Sequence, residues 1–297
     1  MSKRELLVRN DLGFFEVKEK PDTIELEEYY SKKYYQSSQG NYRSGYSDEE
    51  LNYFEAKNEQ RFLLAETFAK KKNNSFLDVG CGEGFLLDHY RKKGWNVLGL
   101  DYSSFGCEKM CPESLPFLRV GDIYKNLDEL LQSGNTFDVI SLTNVLEHVV
   151  DPAYMLSVIH KIAHDGSVLV ITVPNDFSFY QEFLLEEKLI PDEFWIALPD
   201  HLSYFDKDSL SALCFSTGWN KADMIADFPI DLFLANQHSN YVIDRSKGKE
   251  AHKVRVKLEN LFHSISPEKT NSFYRSMAEL GFGRQITGFF TVKAVAK

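Results

Sequence analysis

From Ser75 onward, short apolar runs alternate with segments whose apolar residues recur at helical spacing. That alternation predicts an α/β fold, a Rossmann-like, mostly parallel sheet with helices on both faces. Seven strands are expected, at residues 75–79, 96–100, 117–120, 137–142, 166–173, 222–228 and 286–295. Between them, helices are expected at 85–93, closed by Gly94, at 103–110, capped by Ser103, and through Leu127, Leu130 and Leu131. Asp151-Pro152 starts another, with a capping carboxylate and a proline suited to the first helical position. Asp206-Lys207-Asp208 opens the next, which ends near Gly218. The rhythm breaks after Pro174: residues 175–205 are rich in aromatics and acids, and 230–283 are mostly helical and polar, so both read as inserts.

Ahead of the sheet, Leu6-Leu7-Val8 and Phe14–Val17 flank Asn10-Asp11-Leu12-Gly13, the pattern of a small hairpin. Pro21-Asp22-Thr23 opens a short helix, followed by an aromatic run from Tyr29 to Tyr35 and a polar loop reaching Tyr46. Ser47-Asp48-Glu49-Glu50 has the form of a capping box and starts a helix to about Lys72. Leu51, Phe54, Phe62, Leu63, Phe68 and Ala69 are its expected core face. Residues 1–72 thus read as a hairpin and helical cover, and 73–297 as the core with its two inserts.

The net charge of −10 argues against a nucleic-acid partner, whose phosphates require a basic face. No stretch approaches the ~18 apolar residues of a membrane span, and Met1–Leu6 lacks the apolar core of a signal peptide. Cys81, Cys107, Cys111 and Cys214 complete no zinc-binding set, so no metal is expected; reduced thiols suit a cytoplasmic protein. The 15 Tyr and 23 Phe, many outside the strands, either line a pocket or fill the core.

The candidate chemistry lies at Asp78-Val79-Gly80-Cys81-Gly82-Glu83-Gly84. A buried strand runs into a turn with glycine at alternate positions and then into a helix, which brings backbone N–H groups close to a ligand. Side chains at Gly80, Gly82 or Gly84 would block that approach. A dinucleotide fingerprint needs glycine at position 85, where Phe85 stands, and this disfavours a nicotinamide oxidoreductase. Asp101 closes the second strand and Asp122 follows the third beside Gly121, so Asp78, Asp101 and Asp122 share one rim of the sheet. Such a rim suits an adenosine-bearing ligand that is cationic or zwitterionic better than a pyrophosphate.

These segments, with Asn144-Val145-Leu146-Glu147-His148-Val149-Val150-Asp151-Pro152, resemble the class I S-adenosylmethionine-dependent methyltransferases. Within them they are similar to the small-molecule branch of ubiquinone-biosynthesis-type and sugar or glycan-cluster enzymes. The resemblance implies that Gly80, Cys81, Gly82 and Gly84 pass the methionine and ribose parts of S-adenosyl-L-methionine, with Asp78 ordering the turn or approaching the ammonium. It implies Asp101 for the ribose hydroxyls, Asp122 and the Ile123 N–H for adenine, Tyr102 against the ring, and Asn144 at the methionine end. Arg61 would reach the methionine carboxylate, and Tyr34, Tyr35 and Tyr46 would cover the donor.

The acceptor is expected to be a small molecule, its oxygen methylated on a sugar or similar metabolite. N- or C-methylation, or a partner subunit that binds the donor without catalysis, are the alternatives. An oxygen acceptor usually needs a base, for which His148 and His201 are the candidates; a structural histidine and a contact at a helix start are their plainer readings. The inserts would shape the acceptor pocket or an oligomer contact such as a homodimer.

Overall fold

The computed structural model describes residues 3–21 and 45–293 of the chain. In order, the described strands and helices are β1 (Leu7–Arg9), β2 (Phe15–Val17), α1 (Asp48–Phe68), β3 (Ser75–Val79), α2 (Phe85–Lys92), β4 (Asn96–Asp101), α3 (Phe105–Met110) and β5 (Leu118–Val120). Then come α4 (Ile123–Gln132), β6 (Phe137–Thr143), α5 (Pro152–Lys161), β7 (Ala163–Pro174), α6 (Phe179–Glu186), β8 (Ser203–Tyr204) and α7 (Lys207–Ser216). The chain closes with β9 (Trp219–Ala226), α8 (Gly248–Ile265), α9 (Pro267–Glu279) and β10 (Gln285–Val292). Tyr34 and Tyr35, with the short helix expected after Pro21, lie outside the described residues.

Seven strands form the expected sheet, in the order β5-β4-β3-β6-β7-β10-β9. β3 pairs in parallel with both β4 and β6, β4 with β5, and β6 with β7. The last strand inserts antiparallel between β7 and β9. Strand order reverses at β3 and β6, so the carboxyl ends of these two strands open a crevice where an open α/β sheet binds ligands.

Apolar faces above and below the sheet bury the helices. One side gathers Leu127, Leu130, Ile159, Leu213 and Trp219; the other gathers Phe62, Phe76, Tyr90, Trp95 and Tyr274. Phe76 and Tyr90 stack with centroids 3.6 Å apart, which locks α2 to the centre of the sheet.

Helix α1 starts at the capping box: the Ser47 hydroxyl accepts the Glu50 N–H, and the Glu50 carboxylate accepts the Ser47 N–H. It stops at Phe68, short of Lys72. The main chain is drawn off to other partners, Lys70 N–H to the Gly166 carbonyl and the Lys72, Asn73 and Ser75 N–H groups to the buried Asp138 carboxylate. Its faces also differ from expectation. Leu51 and Leu63 are exposed, whereas Lys57, Asn58 and Gln60 are buried, because one flank of the helix faces a cavity and helix α8.

β9 starts at Trp219, three residues before the expected position, and β7 at Ala163. The hairpin β1–β2 pairs through Phe15–Tyr204 with β8, forming a second sheet of three strands. Leu7 and Val17 there share a cluster with Leu184, Trp195, Ile196 and Leu202 of the insert after β7.

Candidate active site

The turn after β3 is held by its neighbour strand. Gly80 N–H and Cys81 N–H both donate to the Leu100 carbonyl, and Gly82 N–H donates to Asp101 Oδ2 at 2.8 Å. Gly80, Gly82 and Gly84 all take positive φ, at 72°, 55° and 81°. A Cβ on Gly80 would lie 2.4 Å from Val145 Cγ2, and one on Gly84 would lie 3.0 Å from Cys107 Sγ. At these two positions glycine is therefore demanded by backbone conformation and by packing within the chain, not by the space left for a ligand. Gly84 then caps α2 in the left-handed conformation.

Above the turn lies a cavity of about 920 Å³ at the carboxyl ends of the parallel strands. Its wall includes Asp78, Gly80, Cys81, Gly82, Gly84, Asp101, Tyr102, Asp122, Ile123, Asn144 and Arg61 of the expected residues. Tyr46 sits beside it, its hydroxyl donating to the Glu83 carboxylate at 2.9 Å and its ring edge-on to Phe54. Asp101 Oδ1 accepts the Ser103 N–H, so the carboxylate that would hold a ribose also ties the turn to β4. Asp122 caps α4 by accepting the Lys125 N–H at 2.8 Å. Asn144 takes φ of 54° and gives its N–H to the Thr172 carbonyl, which leaves its own carbonyl as the backbone group for a ligand.

Asp78 is buried, and its Oδ1 has no hydrogen-bond partner among the described residues. Burial pushes its carboxyl up to about 7 against the pull of Arg61, and the nearby Asp101 adds to the rise. Arg61 stands opposite on α1, making no ion pair among the described residues, its Nε buried without a partner. The floor thus sets a buried carboxyl and a guanidinium within each other's field without an ion pair between them.

Sequence reasoning missed the rest of the α1 wall: Tyr53, Phe54, Lys57 and Asn58. Tyr53, Lys57 and Arg61 follow each other at four-residue intervals, a polar stripe that reads as a solvated face. Instead the stripe is buried beneath α8. Lys57 Nζ lies 3.5 Å from Glu259, and Arg255 bonds the Tyr53 hydroxyl at 2.7 Å and Asp227 at 2.8 Å.

His148 lines the cavity, and His201 does not. His201 packs edge-on behind His148 with ring centroids 4.9 Å apart. His148 Nδ1 faces the Asp200 carbonyl at 2.7 Å, which can only accept, so that nitrogen carries the proton and Nε2 holds the lone pair. Burial keeps both imidazoles neutral, lowering His148 and pushing His201 down to about 3. Glu147, buried beside them, is pushed up to about 8 by the same cause.

The methyltransferase domain family matches residues 49–223, more than half of the chain, and the chain belongs to that family. The glycine turn, the acidic rim and the sheet order are those of its class I S-adenosylmethionine-dependent members, and S-adenosylmethionine is the cofactor. Among curated proteins, the ubiquinone biosynthesis O-methyltransferase of Colwellia psychrerythraea is 31% identical over 121 residues, covering 38% of this chain and 48% of that protein. Its counterpart from Methylococcus capsulatus is 30% identical over 131 residues, covering 43% and 55%. The chain therefore spans about half the length of the curated relatives it matches. A crystal structure of a SAM dependent methyltransferase from Archaeoglobus fulgidus aligns with a TM-score of 0.49 at 21% identity, over 92% of this chain and 100% of that one. Among the described residues, no helix is long and apolar enough to cross a membrane.

Proposed function

We propose that this chain transfers the methyl group of S-adenosylmethionine to an oxygen of a small hydroxylated metabolite, a sugar or a related compound. The observation that carries this reading is one cavity whose lining includes both Asp78 and Arg61, suited to a zwitterion, and His148. Asp101 would take the ribose hydroxyls while it holds Gly82, and Asp122, Ile123 and Tyr102 would enclose the adenine. The sulfonium carries its own electrophile, so the protein's work is to align the acceptor with the methyl carbon and to exclude water.

The cavity is also lined by Tyr53 on α1, by Tyr124 and Asp128 on α4, and by Asp151 and Tyr154 at the start of α5. Aromatic faces pack against the C–H surface of a ring and carboxylates accept from hydroxyls, which supports a polyol acceptor. The volume lies at the upper end of the roughly 300–1,000 Å³ usual for small-molecule sites, enough for a donor and a modest acceptor. The hydroxyl proton would leave through the His148–His201 side of the cavity, and the curated relatives are named as O-methyltransferases.

The test is incubation with S-adenosylmethionine and a panel of free sugars, nucleotide-linked sugars, phenols and amines. The expected outcome is S-adenosylhomocysteine release with gain of one methyl group on a hydroxyl of a sugar-type acceptor. Methylation confined to amines or to carbon would refute the oxygen reading.

A further inference from the structure

Asn144, the first residue after β6, stands with φ at 54°, in the left-handed region that residues other than glycine seldom adopt. A residue kept there needs its surroundings to hold it, and such residues gather where a ligand is clamped. The next residue, Val145, packs so closely on the glycine turn that a Cβ on Gly80 would lie 2.4 Å from its Cγ2. Any drift of Asn144 therefore disturbs the turn as well.

Strand β10 supplies the hold from two directions. Gln285, its first residue, donates an Nε2–H to Asn144 Oδ1 at 2.9 Å, and both residues line the cavity. Two residues on, the Thr287 hydroxyl lies 2.8 Å from that of Thr172, whose carbonyl accepts the Asn144 N–H. Gln285 is itself fixed through its main chain. Its N–H donates to the buried Asp227 carboxylate at 2.9 Å, and its carbonyl accepts the Asp227 N–H at 3.1 Å. The other oxygen of Asp227 accepts from Arg255 of α8, which also donates to the Tyr53 hydroxyl. An unbroken chain of contacts, Asn144–Gln285–Asp227–Arg255–Tyr53, thus runs from the end of β6 to α1, and Asn144, Gln285 and Tyr53 all line the cavity.

We propose that Gln285 is a positioning residue for the methyl donor: it holds Asn144 in the left-handed conformation that turns its carbonyl to the amino-acid end, and Arg255 of the insert steadies it through Asp227. Glycine would take the same φ without strain, but it would offer no side chain to grip. The inference rests on the donor seating proposed above, with Asn144 at the amino-acid end, and holds for any acceptor.

The full chain is titrated by calorimetry with S-adenosylhomocysteine and with 5′-methylthioadenosine, which keeps the nucleoside and the sulfur but lacks the amino-acid end. Gln285→Leu and Gln285→Met are expected to bind S-adenosylhomocysteine roughly fivefold more weakly, the worth of about one hydrogen bond, with 5′-methylthioadenosine within about twofold of wild type. In an Asn144→Gly background no side chain is left to hold, so Gln285→Leu is expected to cost nothing further. Asp101→Ala, expected to weaken both ligands alike, reports on the donor seating itself; unchanged binding there overturns the seating, and this inference with it. Where Asp101→Ala does weaken both, three results overturn the role of Gln285. They are unchanged S-adenosylhomocysteine affinity in both Gln285 variants, an equal loss of both ligands, and a penalty that persists beside Asn144→Gly.

Discussion

Asp78 has the most sharply defined electrostatics in the donor cavity. Its carboxyl is buried at the end of β3, next to the Asp101 carboxylate and facing a single guanidinium, and it titrates near neutrality at about 7. Below that pH it is protonated and carries no charge; above it, the carboxylate would attract the ammonium of a donor seated as proposed. Donor affinity should therefore rise by roughly tenfold between about pH 6 and about pH 8, as the ionised fraction grows. Calorimetric titration across that range, with Asp78→Asn expected to flatten the dependence, checks it; an affinity that falls with pH would place the cationic end elsewhere.

The sequence shows Asp78, Asp101, Asp122 and the glycines clearly, because each sits at a strand end whose position is fixed by local patterning. It shows His148 for the same reason. His201 is legible as a residue type but not as a neighbour of His148. Their contact is made by the insert folding back over more than fifty residues, and no spacing rule encodes that return.

At the level of elements, helix α1 carries a different lesson. Periodicity assigns its apolar residues to the core, yet Leu51 and Leu63 are exposed and Lys57, Asn58 and Gln60 are buried. A helix covered on two sides, partly by a cavity wall and partly by a charged insert, has no single apolar stripe for the pattern to reveal. What holds this face is Glu259, wholly buried on α8, which pairs with Lys57 and Arg255 and accepts the Phe228 N–H at 3.3 Å. Removing its charge leaves the buried Lys57 without its ion pair, while Arg255 keeps Asp227, so Glu259→Gln should cost roughly 3–5 kcal/mol. It should also weaken donor binding, because Tyr53, Lys57 and Arg61 move with α1. The double variant Lys57→Met/Glu259→Gln should recover part of the stability in denaturant unfolding. Equal stability of wild type and Glu259→Gln would show that the network does not fasten the insert to the helix.

Across the whole molecule, the mostly parallel sheet of seven strands was legible from the strand–helix alternation, since parallel strands need crossover helices and the sequence displays them. The partner of the N-terminal hairpin was not. β2 pairs with β8 across nearly two hundred residues, through only two registered positions, and a strand as short as Ser203–Tyr204 gives almost no pattern. The result is a layout in which the carboxyl ends of the parallel strands line the cavity, while the hairpin and the insert after β7 share a separate cluster and the insert brings Asp200 and His201 up to His148. The strand ends that line the cavity are set by local sequence, and the surroundings of His148 by long-range contacts.

The structure of the chain with S-adenosylhomocysteine bound tests that division most directly. The account predicts the ribose hydroxyls on Asp101, the adenine beside Asp122 and Tyr102, the amino-acid end between Asp78 and Arg61, and the sulfur turned toward His148. A ligand lying with its adenine against His148, or with its sulfur turned away from that side, would contradict it.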